Sequence, residues 1–342
     1  MKISNIIILL LILLPKILFS NTLFDTQYYN IEFTSDNIEN DKIKKINEIK
    51  NESILEILIK TLSNEDYQKI KNKLSQDLIN TFIKNILIDE EKIIENKYFS
   101  KIKVNFNKKK IVNYYYANNI PYVPHHPENI LLIIFENGKI INNLFTIKNN
   151  YYLYFKKNYL NHNLFKIPNL DINDRFVLSK DHLIKKDIDK IKNFSKKYDA
   201  QDVMVVIADL KNKKVKYNFL LISDDYIHES NLVFDQQNFE NFFKILEYQA
   251  LDIWKKINKI NMDHLNIIKC NLKYYNLSEL KEIRKNLDNI ITVNKIRIRS
   301  LSYKKTHYDI YYFGSLNMLQ KLFFSNNLNM NIQDKICSIG LR

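Results

Sequence analysis

The sequence predicts an α+β protein of three small α/β modules, the last a ferredoxin-like β-α-β-β-α-β sandwich. Three observations carry that expectation. Apolar residues at helical spacing are interleaved along the chain with β-type runs. The stretch from Lys185 to Ser223 sets an amphipathic helix before a buried strand and an alternating one. Ile120 to Pro127 holds three prolines and separates the first group of elements from the rest.

With 342 residues, 46% hydrophobic and 13% aromatic, the chain can fold as two or three domains. Its three glycines, Gly138, Gly314 and Gly340, exclude a standard dinucleotide fingerprint and a standard phosphate loop, which need closely spaced glycines. No cofactor is implied. The formal charge of +14 raises the question of a nucleic-acid or anionic-membrane partner. The lysines are spread among 38 acidic residues, and the wealth of Asn, Ile, Lys and Tyr is what an AT-rich genome would impose, so no nucleic-acid partner is read.

Residues 1–20 read as a secretory signal peptide. Lys2 is a positive start, Ile6 to Leu14 is apolar and too short to span a bilayer, and a cut falls near Ser20 and Asn21. An uncleaved anchor is the alternative. The expected location is periplasmic, beyond the inner membrane.

The first module covers 21–119. A strand is expected over Gln27 to Thr34, helices through Ile43 to Leu62 and Asp66 to Lys84, strands at Lys92 to Glu95 and Lys97 to Phe106, and a helix from Lys109 to Asn118. A Pro-rich linker over 120–128 follows, read as an exposed loop. The central module, 129–260, opens on a buried strand at Ile130 to Phe135, with a turn at Asn137-Gly138. Its helix runs from Ile184 to Tyr198 with Asp181 as N-cap. Val203 to Ala208 is apolar without alternation, as suits a strand covered on both faces. After a turn at Lys211 to Lys213, Val215, Tyr217, Phe219 and Leu221 alternate as a half-exposed strand would. A strand from Tyr226 to Phe234 and a helix through Phe239 and Trp254 complete it. The last module, 261–342, has strands at His264 to Tyr275, Thr292 to Tyr303, Thr306 to Phe313 and Leu328 to Leu341. Its helices run through Leu277 to Leu287, with Ser278 near the cap, and Leu316 to Phe323.

Few residues invite chemistry. Adjacent His125 and His126 suggest a metal, yet no further ligand follows at metal spacing. Ser179, Asp181 and His182 could form a nucleophilic constellation, but triads assemble in space and no Gly-x-Ser-x-Gly elbow is present. The aromatic run Tyr151 to Phe155 and the single Trp254 read as core rather than as a carbohydrate or partner platform. Cys270 and Cys337 are candidates for a disulfide in an oxidising compartment, with two separate buried thiols as the alternative.

Ile94 to Phe106 followed by Asn119-Ile120-Pro121-Tyr122, the passage Lys196-Lys197-Tyr198-Asp199-Ala200-Gln201-Asp202-Val203-Met204-Val205, and Trp254-Lys255 together resemble the uncharacterised exported proteobacterial family called domain of unknown function 2066. The resemblance spans nearly the whole mature chain. Lys196-Lys197 and Asp199 stand where that family usually has Arg and Gly. It implies a periplasmic or envelope location and supplies no catalytic residue. The expectation is a non-catalytic, envelope-associated binding or scaffold protein with an envelope protein partner and peripheral membrane contact. The alternatives are an exported hydrolase and a binder of anionic lipid or cell-wall polymer.

Overall fold

The computed structural model describes residues 23–342 apart from 128, 139–141, 147, 160–163, 171, 212–213, 224–225, 235–237, 303–304 and 334–335. The leader read over residues 1–20, with its cut near Ser20 and Asn21, lies outside the described residues, as do Asn212 and Lys213 of one expected turn.

The first module runs β1 (Tyr29–Thr34), α1 (Ile38–Thr61), α2 (Asn64–Ile70), α3 (Gln76–Phe82), β2 (Ile83–Ile94), β3 (Lys97–Phe106) and α4 (Lys108–Ala117). Its antiparallel sheet has the order β1-β3-β2. β3 alternates as expected, with Tyr98, Ile102, Val104 and Phe106 turned inward. β2 begins at Ile83, well before Lys92, where the sequence suggested helix. It is an edge strand, its side chains are half-buried at best, and a register shift between Asp89 and Lys92 breaks its alternation, so the period-two signal is lost.

The Pro-rich stretch is not an exposed connector. Ile120, Tyr122 and Val123 are buried. Val123 N–H donates to the Thr61 carbonyl at 2.8 Å, and Ile260 N–H donates to the Tyr122 carbonyl at 2.8 Å. One continuous apolar core therefore runs through it, from Leu23 to Ile260 and on to Ile291.

The central elements are β4 (Ile130–Gly138), β5 (Asn142–Asn143), α5 (Asn150–Asn158), β6 (Phe165–Lys166), α6 (Ile172–Val177), α7 (Lys180–Ile184), α8 (Ile188–Lys196), β7 (Asp202–Lys211), β8 (Lys214–Ser223), β9 (Tyr226–Phe234) and α9 (Phe239–Asn258). The sheet order is β5-β4-β7-β8-β9, with β6 also on β4. β4 and β7 are parallel neighbours, and Ile130 to Phe135 is buried throughout. The single helix expected from Ile184 is two helices. Ser179 caps α7, Asp187 caps α8, and Lys186 between them takes a left-handed φ of 55°. β8 alternates only in its first half. From Phe219 to Ser223 both faces are buried: Phe242 of α9 stacks on Tyr217 at 4.5 Å and on Phe219 at one face, and Leu220 and Ile222 are buried at the other. The aromatic run Tyr151 to Phe155 forms α5 and feeds the core. The Tyr152 hydroxyl accepts Ile134 N–H at 2.7 Å, and the Tyr151 and Tyr217 hydroxyls meet at 2.8 Å.

The last module is β10 (Asn266–Lys273), α10 (Leu277–Asn289), β11 (Val293–Ser302), β12 (Lys305–Tyr312), α11 (Leu316–Ser325), β13 (Leu328–Gln333) and β14 (Ile336–Leu341). Asn276 caps α10, its Oδ1 accepting Glu279 N–H at 2.9 Å, and Ser278 lies near the cap in the first turn. Both helices pack on one face through Ile283, Leu287, Leu322 and Phe323. The element order starts as β-α-β-β-α-β, but the sheet departs from a ferredoxin-like arrangement. Its order is β11-β12-β10-β14-β13, so β14 lies between the first and fourth strands, parallel to β10 and antiparallel to β13. Cys270 and Cys337 face each other in that parallel pair and are joined in a disulfide. No helix among the described residues is long and apolar enough to cross a membrane.

Candidate functional site

A cleft of about 790 Å³ opens between the first and last modules. That volume is in the range of ligand-binding clefts. One wall is the start of α4. Asn107 caps this helix, its Oδ1 accepting Lys110 N–H at 3.2 Å, which sets Lys108 and Lys109 in the first turn. Cations at a helix N-terminus oppose the macrodipole, so their placement calls for compensation from elsewhere. It comes from the last module. Lys108 Nζ donates to the Asn289 carbonyl at 2.9 Å, at the negative C-terminal end of α10, and Lys109 Nζ lies 3.9 Å from Asp288 Oδ1. Burial lowers the pKa of Lys108, with Asp25 acting the other way.

The floor is welded by tyrosines. The Tyr116 hydroxyl donates to the Ile291 carbonyl at 2.7 Å, and the Tyr122 hydroxyl donates to the same carbonyl at 3.1 Å. Desolvation pushes Tyr116 up to about 12, so both phenols stay neutral donors at neutral pH. These buried contacts between distant segments give the cleft a fixed shape. Its lining holds the cations Lys84, Lys108, Lys109, Arg284 and Lys295 against one carboxylate, Asp288, over an apolar base that includes Val112, Ile296 and Ile298. Among the described residues its lining holds no Ser, Cys or His. Such a lining can attract, desolvate and orient an anionic group.

A second, smaller cleft of about 120 Å³ lies where the linker, the central module and α11 meet. It gathers His125, His126, Asp202, Ser223, Trp254 and Lys321. Trp254 Nε1 donates to Asp202 Oδ2 at 3.0 Å, the His125 ring lies 5.3 Å from the Trp254 ring, and Lys321 Nζ donates to Gln201 Oε1 at 2.8 Å. His126 is held down to about 4, first by desolvation, then by Lys60, Lys255 and His125. Lys255 is held down to about 8 by burial, its ammonium donating to the Ile59 carbonyl. The space suits a few waters or a small ion. Among the described residues, no group of three or more His, Cys, Asp or Glu is arranged to hold a metal.

Ser179, Asp181 and His182 form a helix cap. Ser179 Oγ accepts His182 N–H at 3.4 Å, and His182 Nδ1 accepts Ser179 N–H at 3.2 Å. Asp181 is exposed in the first turn of α7. Ser179 Oγ and His182 Nδ1 are thus each engaged with the other residue's backbone N–H in a reciprocal cap.

Sequence reasoning missed both clefts. The large one draws on residues from Lys84 to Tyr308, brought together from separate helices and strands, and none is distinctive in its own local sequence. The Asn107 cap before three lysines was the one local signal at hand.

No protein-family model matches the chain, and no curated protein matches it. Among solved structures, the C-terminal domain of LpoB from Salmonella enterica is similar over 33% of this chain and 85% of that one, at 12% identity and a TM-score of 0.22. A likeness that low carries no functional argument.

Proposed function

We propose that this protein acts outside the cytoplasm as a non-catalytic, envelope-associated binding protein, and that the cleft between its first and last modules holds an anionic part of an envelope partner. We propose further that it is a diverged relative of the exported family that its Lys196-to-Val205 passage resembles. The observation that carries the functional reading is the preformed cleft, whose described lining sets five cations against one carboxylate. The Cys270–Cys337 disulfide supports export, since such bonds persist in oxidising compartments. Among the two alternatives, the hydrolase reading loses its support at Ser179 and His182, which cap α7. The reading as a binder of anionic polymer is favoured by a separate surface, treated below.

The test is in-cell photo-crosslinking from Asn113 in the cleft, with exposed Tyr248 on α9 as the remote control. The expected result is repeated capture of one envelope component from Asn113, identified by mass spectrometry, and its loss in a Lys109→Glu/Lys295→Glu chain. The same products from both positions, or products untouched by the charge reversal, would overturn the reading.

A further inference from the structure

The open face of the C-terminal sheet carries a second basic surface, which adjoins the cleft at β11, where Lys295 lies opposite Tyr311. Along β12, Thr306, Tyr308, Ile310 and Tyr312 are buried under the helices, so Lys305, His307, Asp309 and Tyr311 stand on the opposite face. On β10, Cys270 and Leu272 turn inward, which sets Lys269 and Lys273 on that same open face. On β11, Arg297 lies opposite Asp309, and Arg299 sits in the register shift between Ile298 and Ser300 with Nε 3.6 Å from Asp309 Oδ1. Lys269, Lys273, Arg297 and Arg299 are exposed.

Two rows of cations thus flank β12, one on β10 and one on β11. Adjacent strands are about 4.8 Å apart, so the rows are about 10 Å apart. The floor between them is His307, Asp309 and Tyr311. Among the described residues five cations stand here against one carboxylate, whereas the whole chain has 52 against 38.

The choice of cation is informative. Arginine occurs five times in the chain, among 52 basic residues, and two of the five are Arg297 and Arg299. A guanidinium forks onto a phosphate through two parallel N–H donors, which an ammonium does not. In a chain that otherwise uses lysine, two arginines side by side on an open strand point to recognition of phosphate rather than general solubility. Structural cross-strand pairing accounts for part of this, since Asp309 offsets one charge. It leaves the remaining four unneutralised.

We propose that this face binds a linear, phosphate-bearing envelope polymer, laid along β12 with its phosphates reaching the two flanking rows. The spacing favours a polymer over a bilayer. A membrane-docking face needs apolar side chains projecting among its cations, and here Ile267 is the exposed one on β10, at its far end.

The test is fluorescence anisotropy of labelled linear inorganic polyphosphate with the purified full chain. With three or four phosphate contacts, affinity is expected to fall about 20- to 50-fold between 50 and 200 mM salt. Arg297→Glu/Arg299→Glu is expected to weaken binding about tenfold or more and to flatten the salt dependence. Arg297→Lys/Arg299→Lys, which keeps the charge and removes the fork, is expected to lose about threefold. Both pairs are exposed, so an unchanged thermal melt reports an intact fold. Lys190→Glu, exposed on α8 of the central module, is expected to leave polyphosphate binding unchanged, which separates a site on this sheet from general attraction to a basic chain. Binding unaffected by the Glu pair would overturn the proposal. So would tighter binding to single-stranded RNA, or binding to anionic phospholipid vesicles with none to polyphosphate.

Discussion

Acid is expected to loosen the junction between the linker and the central module through His126. This imidazole sits beside Lys60, Lys255 and His125, and folding takes it from an ordinary value of 6.5 to about 4. The folded state therefore resists the proton that the unfolded chain accepts. Stability is full above pH 6.5, falls as the pH drops from 6.5 toward 4, and stays low below that. At 1.36 kcal/mol per pH unit the full difference is about 3 kcal/mol. His126 is exposed to water on one side, which screens the neighbouring charges and brings the expected loss to about 1–2 kcal/mol. In thermal unfolding that is about 2–4 °C per kcal/mol for a chain of this class of size. The assay is a melt series from pH 8 to 4 on the parent and on His126→Gln, with the His126 ring protons followed by NMR. The expected result is a Tm difference that favours His126→Gln progressively below pH 6.5, and a titration midpoint near 4. A midpoint near 6.5, or parallel melting curves for the two chains, would refute the reasoning.

Four further outcomes follow from the same coordinates. Lys255, held down to about 8 from 10.5, makes stability rise with pH between those values, and Lys255→Met should flatten that rise in alkaline melts. Asp174 is fully buried and accepts the Tyr198 hydroxyl at 2.5 Å and Lys197 Nζ at 2.6 Å; Asp174→Ala should cost about 2–4 kcal/mol in urea unfolding, and a loss under about 0.5 kcal/mol would contradict the geometry. Ser179→Ala should cost about 1 kcal/mol through its cap and leave ester hydrolysis at the parent's level. Replacing Cys270 and Cys337 by Ser opens a loop closed over a sequence separation of 67, which the chain-entropy account values at about 4 kcal/mol, read as a lower denaturant midpoint.

Local pattern sufficed wherever one element's own residues decide its shape. The stripe from Phe239 to Trp254 forms α9, the unbroken run Val203 to Ala208 lies in the doubly covered β7, and the alternation Ile102, Val104, Phe106 forms β3. The class α+β, the order of most elements and the lack of glycine motifs were legible on those grounds. Tertiary structure alone decided how the elements meet. The wedge of β14 beside β10 and the meeting of Cys270 with Cys337 depend on register between strands 67 residues apart. The burial of Tyr122 depends on Ile260 and Ile291 closing over it. The basic cleft joins Lys108 to Asn289, a separation of 181 residues. Hydrophobic periodicity reports which side of an element is apolar, but not which partner covers it. Charge, desolvation and cleft shape belong to that pairing, so the candidate sites emerge only when distant surfaces come together.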